Sequence, residues 1–178
     1  METKRVTPEN IRELNPGEIF VFGSNINGYH AGGAAAAAVR RFGAIGGRGV
    51  GIQRQSYAIP TMEGGVDYIA GYVNKFVEYA RKHPELFFWV TKIGCGIAGF
   101  KSGEIAPLFK EAALLPNIAL PSEFWRILEN NANKEETPLQ TVPEKNTTAK
   151  KGMLSTGAIV AIIITLAILC TAAILFFW

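Results

Sequence analysis

Apolar residues fall along this chain in two rhythms. Short unbroken runs stand at Ile19-Phe20-Val21-Phe22, Tyr57-Ala58-Ile59, Leu86-Phe87-Phe88-Trp89-Val90 and Ile118-Ala119-Leu120. Runs of this length, rich in branched and aromatic residues, predict strands buried on both faces; Gly23, Pro60 and Pro121 close three of them. Between the runs the spacing becomes helical. Ile69, Tyr72, Val73, Phe76, Val77 and Ala80 make one stripe on a helix over 66–82. The alanine run 34–38 leads to Phe42 and predicts a helix slim enough to lie close on a sheet. Further helices are expected from Ser102, as cap, to about Ala113 and over Ser122–Leu128. Another is expected over Thr7–Leu14, with Thr7 as cap and Pro8 at the first helical position. Gly43, Gly46, Gly47, Gly49 and Gly51 crowd one stretch, which reads as an exposed, mobile connection. Strands alternating with helices predict an α/β domain over 1–129, a parallel-rich sheet between helix layers.

Beyond that domain the pattern changes twice. Residues 130–153 are Asn, Lys, Glu, Thr and Pro with almost nothing apolar, the composition of a disordered tether. Residues 154–178 then hold a run, Thr156 to Trp178, without a single charge. Its length spans a bilayer core, and only Thr165 and Thr171 interrupt it where a buried helix would carry a polar stripe. A single C-terminal transmembrane helix is expected, with the lipid bilayer as partner of residues 156–178. Lys150 and Lys151 precede the run and nothing charged follows, so the positive-inside bias leaves the folded domain facing the cytoplasm. Met1-Glu2-Thr3-Lys4-Arg5 opens a polar segment without the apolar core of a signal peptide.

Composition narrows the function less than the pattern does. The formal net charge over 178 residues is +3, too even a balance for an electrostatic nucleic-acid binder, so no nucleic-acid partner is expected. Two cysteines, one in a glycine loop and one in the apolar tail, suit a reducing compartment. With no cluster of cysteine and histidine, neither a metal site nor a resident cofactor is expected.

The candidate chemistry lies in two glycine loops, each running from a strand end to a helix start. The first is Ser24-Asn25-Ile26-Asn27-Gly28-Tyr29-His30-Ala31-Gly32-Gly33, ahead of the alanine helix. The second is Gly94-Cys95-Gly96-Ile97-Ala98-Gly99-Phe100, ahead of Ser102. Glycines let backbone N–H groups close on an anion, and a helix start adds its dipole. In a parallel sheet both loops fall at the carboxyl edge, where ligands bind. Asn25 is the fixed polar contact of the first loop. His30 is the one histidine near it, and imidazole is the side chain most often used as a general acid or base. Cys95 reads as loop packing, since no base stands near it in sequence.

Val21-Phe22-Gly23-Ser24-Asn25, the Gly-Gly pair and the alanine helix resemble the macrodomain pattern of an asparagine-ended strand, glycine loop and helix. Ser56-Tyr57-Ala58-Ile59-Pro60-Thr61 is similar to the family's middle strand, and Ile93 to Phe100 to its second phosphate loop. The likeness covers roughly residues 17–121 and is nearest to small bacterial and phage-associated macrodomain-like proteins. It implies a three-layer α/β/α sandwich that binds ADP-ribose or a related nucleotide diphosphate. Asn25 would contact the distal ribose and Gly32 and Gly33 would border it, with Ser24 a further ligand-binding residue. Gly94, Cys95, Gly96, Ile97, Ala98, Gly99 and Phe100 would hold the diphosphate. The family's acidic residue for the adenine amino group has no clear match, although Glu18 stands nearby. Hydrolysis of ADP-ribosyl bonds or ADP-ribose phosphate esters, with His30 as the catalytic candidate, is one implied activity. A non-catalytic nucleotide sensor and a membrane-presented interaction protein, as in phage exclusion or defence, are the alternatives.

Overall fold

The computed structural model of the chain describes residues 4–135. The tail expected to cross a membrane, and most of the tether before it, lie outside the described residues. Among those described, no helix is long and apolar enough to cross a membrane.

The domain is α/β. A mixed five-stranded sheet runs β2 (Gly51–Gln53), β3 (Ser56–Pro60), β1 (Glu18–Ser24), β4 (Phe87–Val90), β5 (Ile118–Ala119). β1 pairs in parallel with β3 and β4, β4 with β5, and only the edge strand β2 is antiparallel. Alternation along each strand divides the core into two faces. Ile19, Val21, Tyr57, Ile59, Phe88, Val90 and Ile118 point to one face. There they meet the predicted stripe of α2 (Val66–Lys82), together with Ile105 of α3 (Ser102–Ile105) and Phe124 of α4 (Ser122–Glu135). Phe20, Phe22 and Ala58 point to the other, under α1 (Gly33–Phe42), whose Ala38 and Phe42 are buried against them. Phe20 and Phe42 rings lie 4.6 Å apart, so the alanine face of α1 does bring that helix close to the sheet.

Four local expectations are corrected. Residues 7–14 form no helix. Val6 instead bridges Leu120 in parallel, with Thr7 N–H donating to Leu120 O at 2.9 Å and Leu120 N–H to Arg5 O at 3.0 Å. Arg5 fixes this arrangement: its Nε donates to Ile118 O at 3.0 Å, and its own carbonyl accepts Trp125 Nε1–H at 2.9 Å. Those tertiary bonds outweigh a weak local helix signal. The helix expected to reach Ala113 stops at Ile105 and continues as 3-10 turns over Ala106–Phe109 and Ala112–Leu114. Pro107 explains the break, since it offers no N–H and crowds the carbonyl four residues back. Ser102 is the first helical residue and not the cap; at the cap position Lys101 N–H donates to the Glu104 carboxylate at 2.8 Å. Finally, α4 runs on to Glu135, beyond the boundary expected at 129.

Candidate functional site

Two threonines just past strand ends build the floor of a cleft at the carboxyl edge of the sheet. Thr61, after β3, donates its N–H to Ser24 O at 2.8 Å. Thr91, after β4, reaches Val21 O with both N–H, at 3.0 Å, and Oγ1, at 2.8 Å. The strands are thereby locked together where the two glycine loops leave them.

The cleft has two compartments. The smaller, about 300 Å³, is lined by Ser24, Asn25, Gly32 and Gly33 of the first loop and Gly94, Gly96, Ile97 and Ala98 of the second. The larger, about 470 Å³, runs beside α1 along Gly33, Ala34, Ala37 and Arg41, and is walled opposite by residues 7–11. Gly33, Ala34, Thr91 and Lys92 line both compartments and so mark their junction.

The smaller compartment is rich in unspent donors. The first bond of α1 runs from Ala36 N–H to Gly32 O at 3.1 Å, which leaves the N–H groups of Gly33, Ala34 and Ala35 ahead of it. No acidic side chain stands in that turn and none caps it. Across the cleft the second loop folds on itself, with Phe100 N–H to Gly94 O at 3.1 Å and Gly99 N–H to Gly96 O at 3.0 Å. Among the described residues, the N–H groups of Gly96, Ile97 and Ala98 make no backbone bond. Both sets of donors and the Lys92 ammonium suit an anion.

The expected residues divide. Ser24, Asn25, Gly32, Gly33, Gly94, Gly96, Ile97 and Ala98 are brought to one cleft, while Cys95, Gly99, Phe100 and His30 do not line it. The Asn25 side chain shapes its own loop. Its Oδ1 accepts Tyr29 N–H at 2.9 Å and its Nδ2 donates to Tyr29 O at 2.8 Å, so both ends of the amide are used there. The His30 ring stands edge-on to Phe22, 5.2 Å between centroids, and its Nε2 lies 3.2 Å from Arg48 O. Phe100 packs behind Gly94 against the core. Cys95 does so too, and its thiol accepts from Ser102 Oγ at 3.6 Å. Burial pushes that thiol up from its ordinary pKa, against the smaller opposing effect of the Ser102 hydrogen bond, so it is held as thiol and not thiolate. Glu18 lies outside both compartments, its carboxylate accepting Asn15 N–H at 2.7 Å.

Three features of the site escaped sequence reasoning. Lys92 sits at the junction, and its only signal was its place just past a strand end. Glu9 lines the larger compartment because the N-terminal segment is extended. Exposed apolar side chains rim the smaller compartment: Tyr29 is 74% exposed, Ile97 77%. The two loops meet there, Ile97 Cδ1 lying 3.1 Å from where a Cβ on Gly32 would stand.

No family model, curated protein or solved structure matches this chain. The cleft itself is therefore the guide to function. Among the described residues, no group of histidine, cysteine and carboxylate side chains could hold a metal ion.

Proposed function

We propose that the chain is a macrodomain-like module, tethered to a membrane by its C-terminal apolar run, that binds ADP-ribose or a related nucleotide diphosphate. One observation carries the proposal. Both glycine loops, the uncapped start of α1 and Lys92 converge on a single cleft with room on either side of the junction. In this arrangement the diphosphate takes the junction, beside Lys92 and the free N–H groups at the start of α1, with those of residues 96–98 on the side of the smaller compartment. The distal ribose lies in the smaller compartment under Tyr29 and Ile97. The nucleoside lies in the larger one, between Ala34 and Ala37 of α1 and Pro8 and Ile11. Glu9, not Glu18, is then the carboxylate placed for an exocyclic amino group. The three-layer sandwich, the anchor across the bilayer and a cytoplasmic face for the domain belong to the same proposal, supported by the strand–loop–helix pattern and the charge-free tail.

Binding without turnover is the favoured form. The ring of His30 packs on Phe22, and among the described residues the smaller compartment is lined by no histidine or carboxylate. General acid–base chemistry needs such a group within hydrogen-bond reach of the substrate. Calorimetric titration of the full chain in detergent, with ADP-ribose compared with AMP, NAD and ADP, tests the proposal. Saturable binding that prefers ADP-ribose supports it, and heat from none of the four removes it.

A further inference from the structure

The lysine at the junction already has a partner. Lys92 Nζ lies 3.3 Å from Glu123 Oε2, a carboxylate in the first turn of α4. The neighbouring Ser102 hydroxyl and Lys92 together keep the pKa of that carboxylate below the usual range. The ion pair is half in water, the side chains 52% and 34% exposed. It is therefore labile, and exchange of its anion costs little. Ser122, the first residue of α4, lines the larger compartment as Gly33 and Ala34 of α1 do. Two helix starts and one lysine thus border the larger compartment; Glu9 is the acid that lines it, and Glu123, just outside the lining, is the acid that holds the lysine.

We infer that Glu123 is a built-in competitor for Lys92: it neutralises the lysine while the cleft is empty and yields it to a diphosphate that binds at the junction. This rests on the proposed anion site and adds its regulation. The single charge of the lysine is the physical reason. One ammonium can close on the carboxylate or on the ligand oxygens, and each is weakened by the other's presence. Binding is then weaker than the junction alone would allow, and it frees a carboxylate on α4.

The test uses inorganic pyrophosphate as probe on the full chain, so that it does not depend on the nucleoside. Glu123→Gln keeps the shape and a polar end beside Ser102 but ends the competition. Its pyrophosphate affinity should rise on the order of two- to fivefold, the worth of a partly exposed ion pair. Lys92→Met should lose affinity, and in that background Glu123→Gln should add nothing, since the cycle isolates the pair. An equal gain in both backgrounds would mean general repulsion by the carboxylate and would overturn the inference. So would unchanged or weaker binding by Glu123→Gln, or no pyrophosphate binding by any of the proteins. Melting curves of all variants confirm that each is folded. ADP-ribose selectivity is read separately. Its absence with the pyrophosphate pattern intact would remove the nucleotide proposal and leave the competition standing.

Discussion

Two sets of glycines look alike along the chain and do opposite things in the fold. A Cβ on Gly49 would stand 1.9 Å from Asn25 O, and one on Gly28 would stand 2.3 Å from Arg48 N. These glycines let the first loop and the 43–51 segment press backbone against backbone. A Cβ on Gly33 or Gly96 would meet nothing within 4 Å, although both line the cleft. The first pair is filled by the protein, and the second faces the open cleft. The glycine-dense 43–51 stretch is an exposed connection over 45–48, as expected, but it is also tied back by hydrogen bonds. Gly47 N–H donates to Gly28 O at 3.2 Å, and Gln53, 2% exposed, takes Ile45 N–H at 2.6 Å and gives Nε2–H to Arg48 O at 2.7 Å. Glycine density alone does not separate a cleft-lining loop from a packing contact: within 43–51, Gly49 is pressed on backbone while Gly46, Gly47 and Gly51 meet nothing within 4 Å.

The contrast can be broken most sharply at Gly49. Gly49→Ala should cost at least about 3 kcal/mol of stability by denaturant unfolding, because a backbone carbonyl cannot yield as a side chain can. A loss below about 1 kcal/mol would show that the loops can separate. Gln53→Leu comes next: it removes the side-chain partner of Ile45 N–H and one of the partners of Arg48 O, and should cost about 1–2 kcal/mol in the same assay. Gly96→Phe should do the reverse of Gly49→Ala. Stability should stay within about 0.5 kcal/mol, as for an open surface site, while ADP-ribose affinity falls more than about tenfold. Unaltered affinity would take the second loop out of the site. The smallest effect is at Cys95. Its raised pKa leaves less thiolate near neutral pH than a free cysteine has, so iodoacetamide should label it more slowly in the folded chain than in urea. Mass spectrometry of the Cys95 peptide reads the two rates, and faster labelling when folded would contradict the packing role.

What was legible in the sequence was whatever a local pattern decides. The stripe of α2 gives its bounds at Val66 and Lys82, and the unbroken runs give β1, β3 and β4. Elements held by distant partners were not legible. β2 is three residues long, Gly-Ile-Gln, and exists because it pairs antiparallel with β3. The N-terminal segment is extended because Arg5 bonds to carbonyls more than a hundred residues away, and Glu9 enters the cleft only as a consequence. In the site, the loops were readable from their glycines and strand-end positions. The roles of individual side chains were not: Asn25 spends its amide on Tyr29, and His30 packs on Phe22.

Cleft-lining glycines, on this account, face a nucleotide diphosphate, while those pressed on neighbours outside the cleft hold the fold. Amide resonances of the 15N-labelled full chain, followed while ADP-ribose is added, test it directly. The account predicts shifts at Gly32, Gly33, Gly94 and Gly96 with saturation, and none of comparable size at Gly28, Gly43 or Gly49. Shifts confined to the second group, or no shift at any of these glycines, would contradict it.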